Sequence, residues 1–77
     1  MNKDRRKTIR KIIEQLEGLK EDLDMVKTEE EEAFDNLPEG FQESERGEAM
    51  QEGIDVMEDA YGDLESIIYN LEEMVEG

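Results

Sequence analysis

The spacing of the apolar residues constrains this chain more than any other feature. They fall at Ile9, Ile12, Leu16, Leu19, Leu23, Val26, Ala33 and Leu37, three and four residues apart in alternation, with Glu30 in the one missing slot. A strand places like residues every two positions, so this spacing excludes one. It is the a/d heptad seam of a coiled-coil helix. Met50, Ile54, Met57, Tyr61, Leu64, Ile68, Leu71 and Val75 repeat the pattern in the second half. Ile13 and Phe34 widen the first stripe from one flank, and Ala60, Ile67 and Met74 widen the second. The words "GIDVMED", "AYGDLES" and "IIYNLEE" read as degenerate copies of a single heptad.

Between the stripes lies "DNLPEGFQES". Pro38 removes a helical hydrogen bond and Gly40 adopts positive φ at little cost, so a long helix must break here. Asn36 with Glu39 has the form of a capping box, and Ser44 is a good first cap for a second helix. The expected structure is one all-α domain over residues 1–77, an antiparallel two-helix, coiled-coil-like hairpin. Helix one should cover about 4–35, the turn about 36–43 and helix two about 44–76. A short helical turn near 37–41 should fold Leu37 and Phe41 over the open end as a plug.

The apolar layers align best when Ile9 faces Leu71, Ile12 faces Ile68, Leu16 faces Leu64, Leu19 faces Tyr61, Leu23 faces Met57 and Val26 faces Ile54. Ala33 then lies opposite Gly47. Gly47 and Gly53 lie in or beside the seam of helix two, where glycine costs about 1 kcal/mol relative to alanine. The basic start of helix one and the acidic end of helix two each sit at the unfavourable end of their own helix dipole. An antiparallel arrangement lets them offset one another, so the basic head is expected to act as an intramolecular clamp.

At 77 residues the chain is near the size at which one core supplies only a few kcal/mol and a second copy or a partner is commonly needed. Two helices cannot cover stripes this wide, which points to dimerisation of the hairpin into a four-helix bundle. The residues expected at that oligomer interface are Ile13, Phe34, Phe41, Ile67 and Met74, with Val56 and Tyr69 also apolar outside the two-helix seam.

Chemistry is sparsely provided for. There is no Cys, His or Trp, which excludes disulfides, thiol nucleophiles, His-based catalysis and Glu-x-x-His metal sites. The acidic run "TEEEEAFD" at 28–35 suggests Mg²⁺ or Ca²⁺ by composition alone. Consecutive helical residues point in different directions, however, and the EF-hand spacing is absent. No enzyme, cofactor or metal is therefore expected. The chain reads as cytoplasmic, with no membrane-spanning segment and no direct contact to nucleic acid.

Charge is the other strong feature. The formal net charge is −15, yet residues 1–11 carry six bases against one acid, and residues 12–77 carry 23 acids against three bases, a balance of −20. Such a body repels nucleic acid and attracts the basic proteins that bind it. The expected partner-binding residues are Glu43, Glu45, Arg46, Glu48, Glu52, Asp55, Glu58 and Asp59, on the shoulder after the turn and the first half of helix two.

The words "NLPE" and "QESERGEAM", preceded by "EEEEAFD" and followed by acidic heptads, resemble a family of small acidic helical proteins of phages and prophages of Gram-positive bacteria. The resemblance covers nearly the whole chain. Usual members carry Ala where Gly53 stands here, so helix two is less regular in this sequence. The family supplies a setting and no activity, and no functional residue is carried over from it. In that setting the expected function is binding and inhibition of a host nucleic-acid-binding protein by carboxylate rows that stand in for phosphates. The alternative is a non-enzymatic structural or adaptor protein acting through coiled-coil oligomerisation.

Overall fold

The computed structural model describes residues 1–77 and contains two helices, α1 (Lys3–Asp35) and α2 (Glu45–Glu76), packed as an antiparallel hairpin. The rod measures 58 × 14 × 13 Å between its outer Cα atoms. Asn2 caps α1, its Oδ1 accepting from the Arg5 amide at 2.8 Å. Ser44 caps α2: its Oγ accepts from the Gly47 amide at 3.3 Å and donates to the Phe41 carbonyl oxygen. This pair of hydrogen bonds ties the last residue of the turn both to the turn and to the first turn of α2.

The turn differs from the sequence expectation. Asn36 ends α1 instead of starting a helix: its amide donates to the Glu32 carbonyl at 3.0 Å, and its backbone, at φ −88° and ψ 1°, leaves the helical path. No short helix follows. Two hydrogen-bonded turns do, with the Phe41 amide donating to Pro38 at 3.0 Å and the Ser44 amide to Phe41 at 3.1 Å. Gly40, at φ +88°, supplies the positive dihedral that the third position of a type II turn requires. Gln42 reaches back to donate to the Phe34 carbonyl at 3.2 Å. Leu37 is half-buried, but Phe41 remains exposed, so the expected two-residue plug is reduced to one.

Gly47 has a different role from the one expected of it. A Cβ there would lie within 2.6 Å of the Gln42 carbonyl carbon and closer still to the carbonyl oxygens of Phe41 and Gln42. The glycine therefore admits the turn's own backbone, and Ala33 is not its neighbour in a thin layer but an exposed residue.

The largest correction concerns the face that α1 turns inward. Its buried and half-buried residues are Arg6, Ile9, Ile13, Leu16, Lys20, Leu23, Lys27, Glu30 and Phe34, with Leu37 continuing the row just past its end. This is also a heptad pattern. It shares Ile9, Leu16, Leu23 and Leu37 with the expected seam but replaces Ile12, Leu19, Val26 and Ala33 by their successors. Ile13, 9% exposed, clusters with Ile68 and Val75, while Ile12 is 42% exposed. Lys20, not Leu19, covers Tyr61, with Nζ 5.2 Å from the ring centroid.

Two causes favour this rotation. Lysine stems bury as apolar surface while their ammonium groups stay wet, and Lys20 gains a cation–π contact. Phe34 and Ile13 fill the seam at positions where the alternatives are Ala33 and Ile12.

Only five residues are buried, four of them apolar: Ile13, Ile54, Ile68 and Val75. At about 1.5–3 kcal/mol for a fully buried aliphatic side chain, that core is small against the entropy of ordering two helices of 33 and 32 residues. The hairpin is short of apolar cover when alone.

Candidate protein-interaction surface

Rotation of α1 sorts the surface into two unlike edges. In heptad terms Ile13 and Phe34 are a residues and Ile9 and Leu16 are d residues; on α2, Ile54 and Ile68 are a residues and Leu64 and Leu71 are d residues. In an antiparallel pair the two e rows flank one side of the seam and the two g rows flank the other. The structure shows this directly at the terminal end, where Arg10 and Glu72, both e residues, line one groove with Ile13, Val75 and Glu76.

The g edge is apolar apart from Arg5 and Arg46, the first residues of its two rows. From α1 it carries Ile12, Leu19, Val26 and Ala33, and from α2 Gly53, Ala60, Ile67 and Met74. Leu19 is 58% exposed, Val26 50%, Ile67 46% and Met74 45%, a row of apolar side chains left in water. Val56, 61% exposed, extends the same edge from the next row of α2. At Gly53 an added Cβ would meet nothing within 4 Å, so the edge is open as well as apolar there.

The e edge is acidic. It carries Arg10, Glu17, Asp24 and Glu31 from α1 and Gln51, Glu58, Glu65 and Glu72 from α2, all exposed. The sequence-expected partner residues fall mostly on this side. Glu45, Glu48, Glu52, Asp55, Glu58 and Asp59 occupy the outward e, b and f rows of α2, where Gln51 donates to Asp55 at 3.0 Å. Glu43 stands in the turn, and Arg46 lies apart from the carboxylates at the head of the g row.

The expected interface residues are divided by the structure. Ile67 and Met74 stand on the g edge. Phe41 is exposed at the turn. Phe34 is half-buried in the seam, and Ile13 is buried there with its edge lining the groove beside Arg10 and Glu72. On the edge stand Ile12, Leu19 and Val26, residues of the expected seam; the signal that distinguishes the two arrangements is the second heptad track one residue later, Ile13, Lys20, Lys27 and Phe34.

The basic head forms no ion pair with Glu72, Glu73 or Glu76 within 4.0 Å; the ion pairs present are those of Lys27. The clamp is thus at most a matter of shared field at the terminal end. Arg6 lies half-buried at a seam position, and its Nε is cut off from solvent without a hydrogen-bond partner. The acids of residues 28–35 fan out around α1, with Glu30 half-buried, and nowhere do three or more acids converge so as to hold a metal ion. No helix is long and apolar enough to cross a membrane.

Comparison with protein-family models, curated proteins and solved structures finds no match to this chain.

Proposed function

We propose that the protein is a non-enzymatic helical adaptor that works by self-assembly: hairpins join through the apolar g edge and hold their carboxylate rows outward. The observation that carries this reading is the segregation itself, with Ile12, Leu19, Val26, Ile67 and Met74 on one edge and acids on the other. Acidic residues needed only for solubility have no reason to leave one whole edge bare. Light scattering tests it. The chain should scatter as a multiple of its 9.0 kDa mass, and Leu19→Glu, which places a carboxylate at the centre of the edge, should return it to a single hairpin that remains helical. A wild-type mass of 9.0 kDa at high concentration overturns the reading.

A second reading, the one suggested by resemblance to small phage proteins, is that the outward carboxylates engage a basic nucleic-acid-binding protein in place of DNA. It is favoured by the six acids that α2 holds on one outward surface. Capture of such a protein, reversed both by salt and by competing duplex DNA, supports it; capture indifferent to duplex DNA refutes it.

A further inference from the structure

We infer that the occupant of the g edge is a second copy of this chain turned end for end, so that α1 packs on α1 and α2 on α2, each pair antiparallel. This rests on the self-assembly reading above and specifies its geometry. Three observations lead to it.

The first is shape. The edge is bulkiest toward the chain termini, where Ile12, Leu19, Ile67 and Met74 stand, and thinner toward the turn, where Ala33, Gly53 and Ala60 stand with Val26 and Val56. Two copies laid parallel would face large residues with large ones and leave the thin end as a void, and both faults cost packing energy. Inversion places Ile12 against Ala33 of the second copy, Leu19 against Val26, Ile67 against Ala60 and Met74 against Gly53. The open space at Gly53 is then the socket for a methionine.

Position is the second. A two-fold axis must bisect both rows at one height. The α1 row is centred between Leu19 and Val26, and the α2 row between Ala60 and Ile67. Ile13 clusters with Ile68 and Val75, which are two turns apart, and so stands level with Leu71 between them. With that register the two centres fall within roughly 3 Å along the rod, at 1.5 Å per residue. One axis serves both helices.

The third is charge. Residues 1–11 hold six of the nine bases, and residues 29–35 of the same helix hold five acids. In the register that sets Ile12 against Ala33, inversion lays residues 1–11 of one copy alongside residues 34–44 of the other, whose charged residues are the acids Asp35, Glu39 and Glu43; a parallel pair would bring the two acidic turns together. The paired rows are about 30 Å long and two helices, about 20 Å, wide. That gives roughly 600 Å² from each copy, a total at the lower bound of stable interfaces.

The product is a four-helix bundle with its two turns at opposite ends, and hence two copies of the acidic shoulder facing away from each other. The chain has no cysteine, so a single Glu43→Cys in the exposed turn takes a nitroxide label without competition. Dipolar spectroscopy should then read a separation close to the 58 Å length of the hairpin. A dimer whose labels lie within about 20 Å, one or two helix spacings, overturns the inversion while leaving self-assembly intact. A mass of 9.0 kDa on the same sample overturns both. As an independent arm, Gly53→Leu, which meets nothing in the single hairpin, should weaken dimerisation about tenfold or more by overfilling the socket of Met74; unchanged or tighter dimerisation counts against the inverted pairing.

Discussion

Replacing Gly47 by alanine sets two well-measured effects against each other. Alanine is the better helix former by about 1 kcal/mol, and at an open site that gain is all there is. Gly62 is such a site: it is exposed, and a Cβ there meets nothing within 4 Å. At Gly47 the new methyl would overlap the carbonyls of Phe41 and Gln42, which are backbone atoms held by the Ser44 cap and the Pro38 turn and cannot step aside as a side chain would. Overpacking costs about 1–3 kcal/mol, and a rigid obstacle places this case at the upper end. The net expectation is a loss of about 2 kcal/mol for Gly47→Ala and a gain of about 1 kcal/mol for Gly62→Ala. For a chain of this size each kcal/mol moves Tm by about 4–8 °C. Melting curves followed by circular dichroism, at one fixed protein concentration, should place the two variants on opposite sides of wild type. A Gly47→Ala protein as stable as wild type would refute the close seating of the turn on α2.

Two further substitutions examine the seam and the cap. Ile13→Ala should cost about 2–3 kcal/mol, since it opens a hole between Ile68 and Val75, whereas Ile12→Ala at a concentration low enough to keep hairpins apart should cost under about 1 kcal/mol because its side chain is already half in water; urea titration gives both values. Ser44→Ala removes the acceptor of the Gly47 amide and the donor to Phe41, and should lower stability by about 1 kcal/mol, read as a reduced urea midpoint with an unchanged slope.

Much of this architecture is written in the sequence, and the part that is not has a definite physical cause. The series Ile9, Leu16, Leu23 and Leu37 is apolar whichever way α1 rotates, so the existence of a seam was legible. Pro38, Gly40 and Ser44 likewise marked the turn, because each has a backbone requirement that few other residues meet. The rotation of α1 was not legible from apolar content. Ile12 competes with Ile13, and Leu19 and Val26 outrank Lys20 and Lys27 on any hydrophobicity scale. The structure favours the lysines in the seam because their stems are apolar and the Lys20 ammonium finds the Tyr61 ring of α2. Asn36 is ambiguous for a related reason: the same residue type that caps the start of a helix also serves where one ends. The candidate surface followed from these two outcomes. The outward carboxylates of α2 could be placed from helical period alone, but the apolar edge became visible only once Ile13 and Phe34 had moved inside and Leu19 and Val26 outside.

The g edge exists only if Lys20, and not Leu19, is the residue of α1 that meets Tyr61. A nuclear Overhauser spectrum of the isotope-labelled chain reads this contact directly, since Tyr61 is one of only two tyrosines and the Lys20 methylenes and Leu19 methyls resonate apart. Cross-peaks from the Tyr61 ring to the Lys20 side chain, with none to the Leu19 methyls, are the expected result. Strong cross-peaks from the ring to the Leu19 methyls would return Leu19 to the seam, remove the apolar edge and contradict the account.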